Sequence, residues 1–447
     1  MPRPKGLIIA APASGSGKTV LTLGLLRALR NAGRPVAGAK AGPDYIDPAF
    51  HAAASGHPAF NLDHWAMRPT TLERLLRSWP GTPETLIVEG VMGLFDGVHL
   101  PDRPDAGSTA DLAALTGWPV VLVVDAGKQA ASVGALVRGF ARHRDDVQVA
   151  GVIFNRVASA AHASVLQAAT QAAAPEIHIL GTVVRDPALA MPERHLGLVQ
   201  AGEHEELETF LAAAAQAVVD QVDLGALVSL ARPSVRTTST AAPAGAPLPP
   251  LAQRIAVARD RAFAFCYPDI LDGWRASGAE ILAFSPLAGE APDPKAGAIY
   301  LPGGYPELHA GTLATAKAFL GGLRDAAARS AIIFGECGGY MILGRGLIDA
   351  DGIRHAMAGL LPVETSFAHR RLHLGYREAE LCADGVLGTA GDRYRGHEFH
   401  YASVVKEPTQ TPLFKTMNAR GESLGAAGAV AGTVSGSFIH LIDRVEA

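Results

Sequence analysis

Two stretches in which short apolar runs alternate with helix-like segments constrain the fold of this chain most. In the first stretch, apolar runs predict buried strands at 6–11, 85–89, 119–125, 149–155 and 177–183. Amphipathic patterns predict helices between them, at 19–31 and 130–142. Strands that alternate with helices indicate a mainly parallel sheet covered on both faces. The first half of the chain therefore reads as an α/β domain.

The second stretch repeats the alternation after a break in composition. Residues 231–250 are rich in Pro, Ala, Ser and Thr and end in Pro-Leu-Pro-Pro, which is typical of an extended linker. Further strands are predicted at 254–258, 280–284, 298–301 and 331–334, and a largely helical region at 306–328. We therefore predict two α/β domains, 1–232 and 251–447, joined by a linker at 233–250.

Bulk properties exclude several classes of protein. A chain of 447 residues is long enough for two or three domains, and a net charge of -4 without basic blocks gives no support for a nucleic-acid partner. The apolar runs are shorter than the roughly 18 residues of a membrane span, and the N-terminus lacks a secretory pattern. Three cysteines do not make a disulfide framework, so we expect a cytoplasmic, reducing location.

A phosphate-binding loop is predicted at 10–19, which reads Ala-Ala-Pro-Ala-Ser-Gly-Ser-Gly-Lys-Thr between a strand and a helix. Glycines let backbone amides approach phosphate oxygens, and the helix N-terminus adds partial positive charge. Lys18 would neutralise the terminal phosphates, and the hydroxyl of Thr19 would bind Mg²⁺. The generic motif has Gly where this chain has Pro12. The alternative is a plain glycine-rich turn.

Acidic residues follow two other apolar segments. Asp44 and Asp47 lie in Lys-Ala-Gly-Pro-Asp-Tyr-Ile-Asp-Pro, which we interpret as a loop, and Glu89 ends a buried strand. Open α/β sheets bind ligands at such strand ends, and carboxylates there can hold Mg²⁺. We favour metal or phosphate binding for Asp44 and Glu89. For Asp47 and Asp96 the sequence favours neither metal or phosphate binding nor turn formation.

A nucleophile is predicted in the second domain. Residues 332–344 run from a buried strand through Gly-Glu-Cys-Gly-Gly into a helix, the strand–turn–helix arrangement that exposes Cys337. The helix N-terminus is expected to lower the pKa of this thiol. His440 could act as its base, and His397 and His400 compete for that role. Gly-Gly at the end of the strand at 298–301 can aim backbone N–H groups at an oxyanion.

Two cysteines and the Gly-Gly turn have simpler interpretations. Cys266 and Cys382 lack the elbow context, and we interpret both as structural residues. A simple turn is the alternative for Gly303 and Gly304.

Together these motifs resemble the cobyrinic or hydrogenobyrinic acid a,c-diamide synthases. The resemblance spans nearly the whole chain, and its motifs lie at 14–19, 42–48, 61–63, 89–97, 107–109, 192–198, 258–260, 303–307, 335–339 and 396–401.

The resemblance implies a fold and a reaction. The N-terminal domain looks like the dethiobiotin-synthetase-type phosphate-loop ATPases, with ATP and the corrin bound there. The C-terminal domain looks like a class I glutamine amidotransferase of the cobalamin branch. In such enzymes ATP phosphorylates a corrin carboxylate, and ammonia from L-glutamine displaces the phosphate to give the a- and c-amides. ATP and Mg²⁺ are the implied cofactors, and a homodimer is one option for an assembly that the sequence leaves open.

Roles carried over from the family fall on matching positions of this chain. In the second domain, Cys337 would be the nucleophile, His440 its base, and Gly304 and Gly338 the oxyanion donors. Residues implied for nucleotide binding are Ser14, Gly15, Ser16, Gly17, Lys18, Thr19, Lys40 and, at the adenine, Asn155. Acidic residues implied for catalysis are Asp44, Asp47, Glu89 and Asp96, and the implied metal ligands are Thr19, Asp44 and Glu89.

Position 442 departs from the pattern of many class I glutaminases, and the corrin substrate and the function each have alternatives. Many class I glutaminases carry Glu two residues after the histidine, but position 442 is Ile, so a Cys–His dyad is implied. The corrin could be metal-free hydrogenobyrinate or cobalt-containing cobyrinate, and the Ala- and Arg-rich composition of a GC-rich genome favours the former. The alternatives are a later corrin amidase and a nucleotide-dependent regulatory protein with a degenerate glutaminase domain.

Overall fold

The chain folds into two compact units. The computed structural model describes residues 4–77, 79–191, 193–194, 197–198, 200–235, 245–406 and 411–446. The first unit comprises Met1–Trp65 and Pro69–Pro243, and the second comprises Ala66–Arg68 and Ala244–Ala447. The main change of unit lies between Pro243 and Ala244, and the linker at 233–250 stays a prediction. Residues 236–244 of that linker, and positions 192, 195 and 196 of the motif at 192–198, lie outside the described residues.

The first unit alternates strands and helices. Its strands are β1 (Lys5–Ala10), β2 (Val36–Ala41), β3 (Phe60–Leu62), β4 (Thr85–Glu89), β5 (Val98–Leu100), β6 (Arg103–Ala106), β7 (Val120–Asp125), β8 (Val149–Val157), β9 (His178–Val184), β10 (Glu193–Arg194), β11 (Gly197–Leu198) and β12 (Arg232–Pro233). Its helices are α1 (Lys18–Asn31), α2 (Asp47–Ser55), α3 (Pro69–Arg77), α4 (Thr109–Thr116), α5 (Val133–Arg142), α6 (Ala160–Ala173), α7 (Leu207–Gln221) and α8 (Leu224–Leu230).

A parallel sheet forms the centre of the first unit, in the order β3-β2-β4-β1-β7-β8-β9, with β12 antiparallel beside β1. Its central strands are apolar except at their ends, and Ile8, Val88 and Val123 are fully buried. Helix α1 lies close to α7 at Gly24, where a Cβ atom would be 2.6 Å from the carbonyl oxygen of Ala214. Helices on the sheet therefore bury both of its faces, as the alternation predicts.

Strand register brings the predicted site residues to one edge of this sheet. Glu89, at the end of β4, is level with Ile9 of β1 and Lys40 of β2. On the other side of β1, Asp125 of β7 is level with Asn155 of β8. Because all these strands are parallel, the loop between β1 and α1 emerges at the same edge.

The second unit contains more strands than helices. Its strands are β13 (Arg254–Ala258), β14 (Glu280–Phe284), β15 (Ala298–Leu301), β16 (Ile332–Glu336), β17 (Gly346–Ile348), β18 (Arg354–Ala356), β19 (Glu364–Ser366), β20 (His373–Leu381), β21 (Arg393–His400), β22 (Ser403–Lys406), β23 (Phe414–Asn418), β24 (Ser423–Ala427), β25 (Ala429–Ala431), β26 (Val434–Ser437) and β27 (Ile439–Arg444). Its helices are α9 (Pro268–Ala276), α10 (Ala310–Thr315), α11 (Lys317–Ala328) and α12 (Gly338–Leu343), and Pro306–His309 forms a 3₁₀ turn.

Two sheets of the second unit meet at the predicted glutaminase residues. One has the order β14-β13-β15-β16-β26-β25 and is parallel except for the β25–β26 pair. The other is antiparallel, in the order β24-β23-β20-β21-β27. The chain passes from β26 of the first sheet into β27 of the second through Phe438. This crossing places His440, on β27, near the end of β16, where Cys337 follows.

The α/β fold class is confirmed, although the antiparallel sheet was not predicted. Among the described residues, no helix is both long and apolar enough to cross a membrane.

Candidate active sites

The loop between β1 and α1 has the backbone of a phosphate-binding loop. Gly15 and Gly17 have φ angles of 77° and 89°, which residues with a Cβ atom rarely adopt. A Cβ at Gly17 would also lie 2.2 Å from the side-chain nitrogen of Asn155. The hydroxyl of Ser16 donates to the carbonyl of Ala13 at 2.8 Å, which closes the turn. Ser14, also predicted here, lies exposed on the outer side of the loop.

Lys18 begins α1 and is buried against this loop. Its Nζ atom donates to the carbonyl oxygen of Met92 at 2.6 Å. Met92 has a φ of 50°, a strained conformation for a residue with a side chain. Burial is the largest influence on Lys18 and lowers its pKa, and Lys40 adds to the fall, while Glu89, Asp47 and Asp96 oppose it. The ammonium group is thus placed where a phosphate anion would restore its ordinary pKa.

A buried cluster of charged side chains lies beside Lys18 and is centred on Glu89. Glu89 Oε1 accepts hydrogen bonds from Thr19 Oγ1 at 2.5 Å and Lys40 Nζ at 3.0 Å, and Oε2 lies 2.8 Å from His51 Nε2. Lys40 Nζ is also 2.5 Å from Asp47 Oδ2. The structure therefore brings together Thr19, Lys40, Asp47 and Glu89, which the sequence predicted separately.

His51 is a member of this cluster that the sequence interpretation missed. It lies four residues after Asp47 on α2, a spacing that places both side chains on one face of a helix. Asp47 was predicted in a loop, but it is the first residue of α2. The preceding Asp44 accepts hydrogen bonds from the backbone N–H groups of Ile46 and Asp47 at 2.7 and 3.2 Å, so it also shapes the turn before that helix.

Electrostatics in the cluster favour a cation. Burial raises the pKa of Asp47 to about 7, and Asp44 adds to the rise, while Lys40 opposes it. Burial alone would raise the pKa of Glu89, but Lys40 and His51 outweigh it and the pKa is lowered. Burial alone would lower the pKa of Lys40, but Asp47 and Glu89 outweigh it and the pKa is raised. Asp44, Asp47 and Glu89 outnumber the two lysines, Lys18 and Lys40, and a divalent cation would offset the remaining negative charge.

The donor set fits Mg²⁺. The Thr19 hydroxyl uses its hydrogen on Glu89 and keeps oxygen lone pairs for a metal, and carboxylate and hydroxyl oxygens are the ligands that Mg²⁺ prefers.

Two further predicted residues shape the nucleotide site. Asp96 Oδ2 accepts from the backbone N–H of Gly93 at 2.8 Å, in the turn that carries the Met92 carbonyl. Asn155 Nδ2 donates to the carbonyl of Ser16 at 3.0 Å, so its amide braces the phosphate loop. Its neighbour Arg156, not predicted, donates to the carbonyl of Gly15 at 2.9 Å.

In the second unit, Cys337 occupies a strained turn between β16 and α12. Its φ and ψ are 47° and -102°, and its backbone N–H donates to the carbonyl of Ser437 at 2.8 Å. The glycines around it are required by close approaches. A Cβ at Gly339 would lie 2.0 Å from the carbonyl oxygen of Leu301, and one at Gly338 would lie 3.0 Å from the backbone nitrogen of Gly304. The strand–turn–helix geometry predicted around Cys337 is present, and the nucleophile role of Cys337 stays a prediction.

The Gly-Gly segment after β15 contacts both His440 and the residue after Cys337. A Cβ at Gly303 would lie 2.2 Å from His440 Cε1, and Gly304 has its nitrogen beside Gly338. Gly304 and Gly338, which are predicted as oxyanion donors, are therefore neighbours. The imidazole of His440 lies against Gly303, the residue before Gly304.

The competing histidines lie close to His440 but have other contacts. His397 is directly opposite His440 across β21 and β27. His400 lies 2.8 Å from Glu398 Oε1 through Nε2, and its ring stacks on Phe438 with centroids 3.8 Å apart.

Burial controls protonation at this site. It raises the pKa of the Cys337 thiol, and Glu307 adds to the rise, while the backbone N–H of Gly338 opposes it. The expected lowering by the helix N-terminus is therefore wrong for this state, because a six-residue helix cannot offset the loss of water around the sulfur. Burial also lowers the pKa of His440 to about 3, with His397 and His400 adding to the fall. Burial thus favours the uncharged form of both the thiol and the imidazole.

The other two cysteines have no comparable setting. Burial raises the pKa of Cys266 to about 12, and Cys382 is partly buried.

Position 443 has a structural partner. Asp443 Oδ1 accepts from Arg68 Nε at 2.9 Å, Oδ2 accepts from the Arg68 backbone N–H at 2.9 Å, and both side chains are buried. Arg68 belongs to the second unit although it lies far from it in sequence. This acid is thus engaged in a buried ion pair.

Comparisons with known proteins match both units. Residues 7–199 match the CobQ/CobB/MinD/ParA nucleotide binding domain, and residues 254–445 match the CobB/CobQ-like glutamine amidotransferase domain. Proteins named hydrogenobyrinate a,c-diamide synthase from Brucella anthropi, Sinorhizobium sp and Rhodobacter capsulatus are 53%, 54% and 52% identical over 98% of this chain and 98%, 98% and 99% of their own lengths. The chain belongs to the hydrogenobyrinate a,c-diamide synthase family.

Membership of the hydrogenobyrinate a,c-diamide synthase family confirms the resemblance drawn from the motifs. This member is a glutamine-dependent, amide-forming enzyme with a nucleotide-binding domain followed by a glutamine amidotransferase domain.

Proposed function

We propose that this enzyme converts the a and c side-chain carboxylates of hydrogenobyrinate into carboxamides, with ATP as phosphoryl donor and L-glutamine as nitrogen donor. The observation that carries the proposal is the full-length identity of 53% to a protein of that name. Both units supply chemistry for it, since one contains a phosphate loop and the other a thiol in a nucleophile turn.

In the second unit, Cys337 would attack the side-chain amide carbon of glutamine. The thiol proton passes to His440, and the backbone N–H groups of Gly304 and Gly338 receive the developing oxyanion. His440 then gives its proton to the nitrogen as the C–N bond breaks, which releases ammonia. Water cleaves the thioester, yields glutamate and restores the thiol. Because thiol and imidazole both start neutral, this proton transfer creates the ion pair only when substrate is bound.

In the first unit, a corrin carboxylate oxygen would attack the γ-phosphorus of ATP, and ADP would leave. Lys18 and the loop amides of Gly15, Ser16 and Gly17 stabilise the transferring phosphoryl group. Ammonia then attacks the carbonyl carbon of the acyl phosphate, and inorganic phosphate leaves as the amide forms. Asn155 and Ser14 would complete the nucleotide site, and Asn155, whose amide donates to the carbonyl of Ser16, would contact the adenine base.

Mg²⁺ would be held by Thr19, Asp44 and Glu89, and when bound it supplies positive charge to the phosphate oxygens. Lys40 keeps Glu89 ionised next to it and opposes the rise in the pKa of Asp47. Asp96 holds the turn that carries the Met92 carbonyl, the present partner of Lys18.

The remaining partner assignments follow the same chemistry. We propose a cytoplasmic location, a small-molecule corrin as the acceptor, and neither nucleic acid nor membrane as a partner. We also propose a homodimer. Light scattering tests it, because a dimer has twice the chain mass of 46.4 kDa.

Mass spectrometry of products tests the substrate assignment. The enzyme is incubated with ATP, Mg²⁺ and glutamine and, in parallel, with hydrogenobyrinate or cobyrinate. We expect hydrogenobyrinate to gain two amides and then stop. More than two amides would identify a later corrin amidase, preference for cobyrinate would move the assignment to the cobalt-containing corrin, and no product from either corrin would contradict the proposal.

A further inference from the structure

The carboxyl group of Glu336 connects the nucleophile turn to the strand that carries the base. Glu336 directly precedes Cys337 and is buried, with 1% of its surface exposed. Its Oε1 atom accepts a hydrogen bond from the backbone N–H of Leu441 at 3.1 Å, and Leu441 directly follows His440. Its Oε2 atom accepts from the hydroxyl of Tyr300 at 2.6 Å. The side chain of the residue before Cys337 therefore bonds the backbone of the residue after His440.

The turn that this carboxyl group holds is strained. A residue with a Cβ atom rarely adopts the φ of 47° seen for Cys337, and this conformation needs support from its surroundings. Cys337 is supported by its own N–H bond to Ser437 at 2.8 Å and by Glu336 on its other side. Both bonds reach the same short stretch of chain, from the end of β26 to the start of β27. The spacing between sulfur and imidazole depends on that stretch.

His440 lies on β27 together with Ile442 and Asp443. Ile442 is apolar and buried, and Asp443 is bonded to Arg68. We propose that Glu336 is a positioning residue for the glutaminase reaction, which holds Leu441 and thereby His440 in register with Cys337, and that Tyr300 fixes the Glu336 carboxyl group. This inference rests on the proposed roles of Cys337 and His440.

The bonding pattern specifies which substitutions are informative. Both carboxyl oxygens of Glu336 act as acceptors, and these two contacts favour its charged form. Burial raises its pKa to about 7, and the titratable groups around it are Tyr300, Cys266, which bonds Tyr300, and Cys337. Glutamine at this position can accept from Leu441 through its oxygen and donate its NH₂ group to the Tyr300 oxygen. Methionine has a similar length and can make neither bond.

The test compares Glu336→Gln, Glu336→Met and Tyr300→Phe in the full-length enzyme with ATP, Mg²⁺ and hydrogenobyrinate. Tyr394→Phe is the matched control, because Tyr394 is a buried tyrosine of the same unit that donates to a backbone carbonyl, that of Leu387. Three readouts are taken: kcat and KM for glutamine hydrolysis, amide formation from ammonium salt, and the rate at which 6-diazo-5-oxo-L-norleucine labels Cys337, followed by peptide mass spectrometry.

For Glu336→Met we expect kcat for glutamine hydrolysis and the labelling rate to fall roughly 10²-fold with KM within about threefold, since misplacement by about 1 Å has this cost. Tyr300→Phe should fall about tenfold, whereas Glu336→Gln should stay within about fivefold of wild type. Amide formation from ammonia should be unchanged in all variants, and Tyr394→Phe should resemble wild type.

Several results would overturn the inference. One is a wild-type kcat for glutamine hydrolysis in Glu336→Met. Another is a loss of kcat in Glu336→Gln or in Tyr394→Phe as large as that in Glu336→Met. A parallel loss of ammonia-dependent synthesis would show that Glu336 serves general folding. Failure of the proposed function looks different, because wild-type enzyme would then hydrolyse no glutamine, or Cys337→Ala would hydrolyse it normally.

Discussion

Burial sets the protonation of the groups that react in the second unit. Cys337 and His440 are 3% and 0% exposed, and each is held in its uncharged form. Charge separation between them becomes favourable only when an oxyanion can form beside Gly304 and Gly338. The raised pKa of Cys337 therefore disfavours the thiolate, which is the reactive form of a cysteine.

The clearest residue-level prediction for the first unit concerns Lys18. Lys18→Ala should lower synthesis by on the order of 10³, with either glutamine or ammonia, because the charge that stabilises phosphoryl transfer is lost. Lys5→Ala is the control, since Lys5 is an exposed lysine at the opposite end of the strand before the loop. Product formation is measured by chromatography. A Lys18→Ala enzyme as fast as the control would remove the phosphate-loop assignment.

A second prediction separates His440 from Asp443. His440→Ala should lower glutaminase activity by on the order of 10² or more, as loss of a general base does. Asp443→Asn should keep activity within roughly tenfold but lower the free energy of unfolding by about 3 kcal/mol, because it breaks the buried pair with Arg68. Kinetics and urea denaturation are measured on both variants. Equal kinetic losses would require a third catalytic member.

A third prediction uses the pH dependence of stability. The pKa of Glu336 is about 7 in the folded chain against an ordinary 4.5, so the unfolded chain releases its proton first. Stability from this group is full below pH 4.5 and is lost as the pH rises towards 7. Glutamine does not titrate, so Glu336→Gln should not lose this stability. Between pH 5 and pH 8 the free energy of unfolding of the variant should rise relative to that of wild type by on the order of 1 to 3 kcal/mol. Thermal unfolding of the variant and of wild type at pH 5 and pH 8 measures this change. The same stability difference between the two proteins at both pH values would contradict the raised pKa of Glu336.

Local motifs predicted the residues whose neighbours are close in sequence. Lys18 and Thr19 follow a strand within one loop, and Cys337 stands in its own turn. The contacts of His51, Arg68 and Glu336 could not be predicted in this way, because their partners come from other elements, up to 375 residues away for Arg68 and Asp443. Buried acids also read as ordinary turn residues until their surroundings are known.

Among the elements, strands rich in large apolar residues were predicted to within a few positions. β4 and β13 lie where the sequence predicts them, and β16 ends two residues beyond its prediction. β2 was missed because Val-Ala-Gly-Ala-Lys-Ala has small side chains and little apolar signal. β24 was missed because most of it is exposed. Such strands depend on their neighbours for pairing.

The Gly-Gly segment after β15 gives a prediction at the level of elements. Gly303→Ala would place a Cβ atom 2.2 Å from His440 Cε1, so the segment or β27 must shift. Glutaminase activity should fall roughly 10²-fold while ammonia-dependent synthesis persists. Gly321→Ala, on α11 with open space at its Cβ position, is the control. Normal glutamine hydrolysis in Gly303→Ala would show that this contact does not set the position of His440.

The whole molecule carries its two reactions in separate units, which makes them separable by mutation. Cys337→Ala should lose glutamine-dependent synthesis and keep synthesis from ammonium salt, because free ammonia can attack the acyl phosphate without the thiol. The variant should still consume ATP when corrin and ammonia are present. Assays with each nitrogen source, and circular dichroism for folding, measure this. A folded variant inactive with both sources would assign Cys337 a role outside glutamine hydrolysis.

The short segment Ala66–Arg68 has a consequence for dividing the enzyme into two polypeptides. This segment lies in the N-terminal part of the sequence but belongs to the second unit, where the guanidinium of Arg68 pairs with Asp443. A gene split anywhere in 236–244 would give a C-terminal product that lacks the guanidinium which Asp443 binds. Separately expressed halves should then depend on each other for stability, with the C-terminal product recovering its fold only when the N-terminal product is co-expressed.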